Sequence, residues 1–285
     1  MEPTRYSRTA EAAAFLRALH RHVDARPWVF EDGAVEVLLS APSQHYMRRL
    51  DALAHSWMAV WRRRRSGLAS MRAQIVVRAR FTEDALFAHA PQQYLVLAAG
   101  LDTFALRYAS AGVQVFEVDH PATQAWKRDR IVSLPACLCF VPVDFERDTA
   151  AGALAATSFD TSLPTFVSWL GTTYYLTRAA IVQTLRDVRE RTPAGTRLVL
   201  DYWSEAPEFD ARASLLLAGT RFATAYQGEP IRSLFAVADM HALAEDNGWR
   251  VREHLAPAAQ NARYLTRRND GLAVPSFAYL MELVH

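Results

Sequence analysis

A glycine and an acid set nineteen residues apart, Gly100 and Asp119, each behind a short apolar run, have spacing that points to a ligand. Glycine removes a side chain where backbone must approach a bound group. In open α/β folds, an acid about twenty residues beyond such a turn accepts hydrogen bonds from a ribose hydroxyl. A structural turn followed by a solvated acid fits the same spacing, so spacing alone leaves both readings open. A second pair, Asp144-Phe145, closes another apolar run. An acid beside an aromatic ring at a strand end could accept from an adenine amino group and cover its ring. The run Leu170-Gly-Thr-Thr-Tyr-Tyr-Leu176 and the later Tyr202-Trp203 add hydroxyls and aromatic rings. Tyr174, Tyr175 and Tyr202 are candidates for the pocket of a second ligand, with rings packed under a loop as the alternative. His120 precedes Pro121 and suits a turn better than a base, so these segments offer contacts and no evident proton acceptor. No catalytic residue is named.

Those residues need a scaffold, and the hydrophobic pattern supplies one. Tyr94 to Ala98 reads as a fully buried strand, Ala98-Ala99-Gly100 as a tight turn, and Leu101, Ala105, Leu106 and Tyr108 as one helical face. Val113 to Asp119 is the next strand, completing a β-α-β unit. A helix over Trp126 to Leu134 is expected to turn Lys127 and Arg128 outward. Strands follow at Leu138 to Val143, Thr165 to Trp169, Thr196 to Tyr202, Trp249 to Leu255 and Phe277 to Val284. Between them Thr177 caps a helix that buries Ile181, Leu185 and Val188 and closes at Pro193 and Gly195. Further helices fall around Ala211 to Leu217 and at Met240, Leu243 and Ala244, the latter ended by Gly248. The pattern predicts a Rossmann-like α/β fold: a mostly parallel, seven-stranded sheet with helices on both faces.

The first ninety residues read as a helical cap (1–90) preceding one compact α/β unit (91–285). Phe15, Leu16, Leu19 and Val23 share a face, Arg26-Pro27 breaks it, and Pro42-Ser43 starts a longer helix capped by Ser43. There Tyr46, Met47, Leu50, Leu53, Ala54, Trp57, Met58 and Trp61 keep a 3.6 period, which favours core, a wall of a substrate pocket being the alternative. A third helix, about Ser70 to His89, carries Arg72, Arg78 and Arg80. Without other information Arg78 reads as an exposed helix arginine.

Composition bounds the partners. The chain has 285 residues, 51% of them apolar, and a formal charge of +2, which gives no electrostatic footprint for nucleic acid. Its one basic run, Arg62 to Arg65, suits a solvated helix end, a phosphate-binding patch being the alternative. No apolar run reaches membrane-spanning length and no signal segment opens the chain, so a cytoplasmic protein without membrane association is expected. Cys137 and Cys139 suit neither a disulfide framework nor a zinc site, and no metal is expected. The oligomeric state is open.

Leu97-Ala-Ala-Gly-Leu-Asp-Thr103 followed by Phe116-Glu-Val-Asp-His-Pro121 resembles the signature of the leucine carboxyl methyltransferase family. The resemblance extends to Arg78 through Asp84, Pro164 through Thr177, Gly228-Glu-Pro230 and Asn261-Ala-Arg-Tyr264, and so covers most of the chain. It implies a class I fold that binds S-adenosyl-L-methionine and methylates an oxygen, by preference a carboxylate, of a small-molecule acceptor. It further implies cofactor contacts from Arg78, Ala99, Gly100, Asp119, Asp144, Phe145 and Trp169. Arg78 would hold the methionine carboxylate, which a guanidinium fork suits, and Tyr175 would lie near the acceptor. Three positions depart from the pattern. Ala98 replaces a glycine, Phe104 an arginine, and Leu170 a glutamate that the leucine carboxyl methyltransferases themselves carry. The last points to the bacterial secondary-metabolism branch. A nicotinamide dehydrogenase would need the full Gly-x-Gly-x-x-Gly fingerprint, and positions 98 and 103 are Ala and Thr. A methyltransferase-like protein that binds without transfer is the remaining alternative.

Overall fold

The computed structural model describes residues 6–52, 67–144, 150–205 and 211–285. β1 (Gln93–Leu97) is buried at every position, as an apolar run flanked on both faces must be. It pairs in parallel with β2 (Gln114–Asp119) on one side and β4 (Thr165–Trp169) on the other. β3 (Leu138–Pro142) lies outside β2, and β5 (Arg197–Trp203) outside β4, both parallel. β7 (Ala278–Val284) inserts antiparallel between β5 and β6 (Arg250–Leu255). The sheet therefore has seven strands in the order β3-β2-β1-β4-β5-β7-β6, the mostly parallel Rossmann-like sheet that the sequence predicts. The chain builds to one side of β1 and then returns to build on the other. That reversal opens a crevice at the carboxyl ends of β1 and β4, where ligands of open α/β sheets bind.

In chain order the helices are α1 (Arg8–Val23), α2 (Ala41–Ala52), α3 (Gly67–His89), α4 (Phe104–Arg107), α5 (Pro121–Arg128), α6 (Ala150–Ala155), α7 (Arg178–Arg191), α8 (Ala211–Tyr226), α9 (Val237–Asp246) and α10 (Pro257–Tyr264). Strand alternation assigns them to two faces. Tyr94, Val96, Val199 and Trp203 face α3, α4 and α8 in one core. Leu95, Leu97, Leu200 and Tyr202 face α6, α7 and α9 in the other. A third core joins α1 and α2 to Ile75 of α3 and to Leu101. Deep in that junction the Arg72 guanidinium grips both oxygens of Asp24 at 2.5 and 2.7 Å, and His20 Nδ1 lies 2.8 Å from the same carboxylate. Arg72 is therefore no surface arginine.

Several elements differ from their sequence prediction. The helix after β2 spans Pro121–Arg128 rather than 126–134, because proline suits a first turn and the His120 ring accepts from the Ala122 N–H. Lys127 shares the buried face of this helix with Thr123 and Gln124, and its Nζ donates to both oxygens of Glu117 at 2.7 and 2.5 Å. α2 begins at Ala41, so Ser43 sits inside it and donates to Glu11 instead of capping. α6 and α10 are additional helices, the latter starting on Pro257. The aromatic stripe beyond Ala52 and the run Arg62 to Arg65 lie outside the described residues.

The Glu117–Lys127 pair pins α5 to β2, and it sets a pH dependence. Burial pushes the Glu117 pKa up to about 7 from its ordinary 4.5, against the pull of Lys127. Between those values the folded chain binds more protons than the unfolded one, so stability falls as pH rises across the window and levels off above it. Lys127→Met removes the opposing cation and should cost roughly 3–5 kcal/mol at pH 8. Its urea-unfolding stability should keep falling above pH 7. The double variant Glu117→Leu/Lys127→Met should lose this contribution to the slope.

Candidate active site

Two turns at the carboxyl ends of β1 and β4 are built alike. Leu97 is in register with Val118, and Trp169 with Leu200, so Asp119 and Asp201 are the first residues past those pairings. After β1 the chain turns through Ala98 and Gly100, with φ of +51° and +54°. Gly100 N–H donates to Asp119 Oδ2 at 2.5 Å, and His120 N–H to Oδ1 at 2.6 Å. After β4 it turns through Gly171, φ +74°, whose N–H donates to Asp201 Oδ1 at 2.5 Å. Asp201 Oδ2 accepts from Arg78 at 2.9 Å, and the same guanidinium nitrogen donates to the Tyr174 hydroxyl at 3.3 Å. A Cβ on Gly171 would lie 2.8 Å from the Arg78 guanidinium, so this glycine is required by its conformation and by space.

Burial tunes these groups. It raises the Asp119 pKa despite the N–H donors of Gly100 and His120. It opposes the charge on Arg78, but Asp201 and Tyr174 together outweigh it and the guanidinium pKa rises. The phenols of Tyr174 and Tyr175 are pushed up by burial and stay protonated at neutral pH. None of these tyrosines is a ready base.

The two turns open into one cavity of about 1250 Å³. Pockets for a single small ligand run to roughly 1,000 Å³, so this one has room for two molecules. It brings together Arg78, Ala99, Gly100, Asp119, Asp144, Trp169, Tyr174 and Tyr175 of the predicted set. Tyr202 does not line it. Successive strand residues point to opposite faces, so Trp203 faces the cavity while Tyr202 packs on the far side, its hydroxyl 2.9 Å from His254 Nε2. Phe145 lies outside the described residues. Leu170 lines the cavity, whereas Phe104 is buried in the core with its ring 4.9 Å from that of Tyr94. Sequence reasoning missed Asp201. Its signal was present: an apolar run, Leu198-Val-Leu200, ends on an acid as Phe116 to Asp119 does.

The start of α1 crosses the mouth of the cavity. Ser7 N–H donates to Thr123 Oγ1 at 3.3 Å, while the hydroxyls of Ser7 and Thr9 donate to Glu229 on the other side. Ala10 approaches so closely that a Cβ on Gly100 would lie 3.0 Å from its own. Among the described residues no group of three or more His, Cys, Asp or Glu is placed to hold a metal ion, and no helix is long and apolar enough to cross a membrane. Ala98 holds a left-handed conformation that costs an L-residue roughly 1–2 kcal/mol. Ala98→Gly should therefore raise stability by about 1 kcal/mol in urea unfolding.

Comparison with known proteins agrees with this geometry. Residues 10–189 match the sequence model of the leucine carboxyl methyltransferase family. The chain is 34% identical over 188 residues to YktD of Bacillus subtilis (strain 168), named as an S-adenosyl-L-methionine-dependent methyltransferase. That match covers 64% of this chain and 62% of the Bacillus protein, so the chain spans about three fifths of that relative's length. A Mycobacterium avium (strain 104) protein named in the same way is 32% identical over 218 residues, covering 70% of this chain and 67% of its own. A DUF574 family crystal structure from Streptomyces avermitilis MA-4680 superposes over 99% of this chain and 98% of its own, with a TM-score of 0.58 and 16% identity. At that identity the likeness shows the fold alone. The strand-end signature, the matched span and the two relatives lead to one conclusion: this chain belongs to the leucine carboxyl methyltransferase family.

Proposed function

We propose that this protein transfers a methyl group from S-adenosyl-L-methionine to an oxygen, by preference a carboxylate, of a small secondary metabolite. The observation that carries the reading is the pair of strand-end turns opening into one cavity large enough for cofactor and acceptor. The residues present fit the cofactor. A carboxylate has about four lone-pair sites, so Asp119 keeps two for ribose hydroxyls after accepting from Gly100 and His120. Asp144 would accept from the adenine amino group. Arg78 commits one nitrogen to Asp201 and Tyr174, and its remaining N–H groups would bind the methionine carboxylate.

The bound cofactor supplies a methyl group already activated on a sulfonium. What remains for the protein is alignment at near-attack distance and exclusion of water. A carboxylate acceptor is ionised at neutral pH and needs no base, whereas an alcohol must lose a proton. The tyrosines near the β4 turn are held in their protonated form by burial, which favours the carboxylate.

The product distinguishes the cases. Incubation with S-adenosyl-L-methionine and a panel of small acids should give methyl groups that mild alkali releases, at a rate nearly flat from pH 6 to pH 8. Tyr175→Phe should weaken the acceptor's KM several-fold and leave transfer intact. An alkali-stable product with a rate that climbs with pH would mean a hydroxyl acceptor. Cofactor binding with no transfer to any acceptor would favour a binding protein.

A further inference from the structure

Several buried polar atoms among the described residues have no hydrogen-bond partner, and those of Gln74 and Trp203 alone belong to residues that line the cavity. Gln74 is 2% exposed with both its amide oxygen and nitrogen unpartnered, and Trp203 is 1% exposed with an unpartnered indole N–H. Buried amides and indoles are almost always paired, since leaving them bare costs their hydration with nothing in return. An apolar side chain would remove that penalty if the position served packing alone.

The two groups belong to one wall. Gln74 lies on α3 one turn ahead of Arg78, so both share the stripe that faces the cavity. Arg78 donates to the Tyr174 hydroxyl, and the Tyr174 ring stacks on Trp203 at 4.1 Å and 21°. This is the β4–β5 side, away from Asp119. The rest of that region is apolar, with Met71, Leu170 and Leu216 lining the cavity and packing on the core that holds Trp203.

We propose that Gln74 and Trp203 are acceptor-binding residues, and that they select an apolar acid with a hydroxyl or amino group on the carbon next to its carboxylate. The inference rests on the methyl-transfer reading. The amide and indole N–H groups hold the carboxylate oxygen that is not methylated, and the amide oxygen of Gln74 takes the neighbouring donor. The other carboxylate oxygen forms its bond to the methyl carbon as the carbon–sulfur bond breaks, the electron pair passing to sulfur. Anion and sulfonium charges cancel, and no proton moves.

The test uses 2-hydroxydecanoate and decanoate as acceptors, with Gln74→Met and Trp203→Phe variants of the full chain. The wild type should prefer the hydroxy acid in KM by about tenfold, the worth of one hydrogen bond. Gln74→Met should erase that preference and raise KM for both acids, because the amide N–H that holds the carboxylate is lost together with the amide oxygen. It should also keep S-adenosylhomocysteine affinity within about twofold of wild type, as expected when no hydrogen bond to the cofactor is lost, and should not lower the melting temperature. Trp203→Phe should raise KM for both acids alike. A hydroxy-acid preference that survives Gln74→Met would overturn the proposal, and a lowered melting temperature or a tenfold loss of S-adenosylhomocysteine affinity would reassign Gln74 to packing or to the cofactor. If the wild type makes no ester from either acid, the methyl-transfer reading fails instead. Equilibrium dialysis of both acids against the S-adenosylhomocysteine complex then decides: a preference lost in Gln74→Met sustains the polar wall, and binding of neither acid overturns it.

Discussion

Two carboxylates, each accepting a glycine N–H at 2.5 Å, hold the working end of this protein in shape. Asp119 closes the β1 turn onto β2, and Asp201 closes the β4 turn onto β5. Both turns bend through left-handed glycines, so their backbones fold away from the sheet and leave the strand ends open. Gly100 and Gly171 both line the cavity from these two points. Behind Asp119, the Glu117–Lys127 pair anchors the helix capped by His120, which lines the cavity. Beside Asp201, Arg78 ties α3 to the sheet and orients Tyr174, which in turn supports Trp203.

The arrangement divides the cavity by charge. On the β1 side stands the Asp119 carboxylate, while on the β4 side the Arg78 guanidinium is paired with Asp201. A buried ion pair contributes little net stability, so Arg78–Asp201 is better understood through what it fixes. Asp201 keeps the guanidinium charged and in one orientation, with Gly171 as the only residue type small enough to lie beneath it. For the proposed transfer between a sulfonium and a carboxylate, such a preset field matters more than any proton acceptor.

Much of this could be read from the sequence. The first β-α-β unit was legible because its signals are local: an apolar run, a glycine, and an acid at a fixed distance. Arg78 entered only through family resemblance, since its helix context reads as surface. Its partner Asp201 lies 123 residues away, and no local pattern links the two. Tyr202 and Trp203 show the other limit. The sequence marked both rings, but the register with β7 and the packing against α8 decide which one meets the cavity. Lys127 was misplaced because the helix starts at 121 rather than 126 and buries the face that Lys127 shares with Thr123 and Gln124. The insertion of β7 between β5 and β6 has no sequence signal, because antiparallel and parallel buried strands are equally apolar.

In the proposed function the cofactor's nucleoside lies on the β1 side of the cavity and the acceptor on the β4 side. A crystal structure of the protein with S-adenosylhomocysteine tests it most directly. Both ribose hydroxyls should lie within hydrogen-bonding distance of Asp119, the amino-acid carboxylate on the Arg78 guanidinium, and the sulfur facing the wall formed by Tyr174, Tyr175 and Trp203. A nucleoside seated away from Asp119, or a cofactor filling the β4 side and leaving no room beside Gln74, would contradict it.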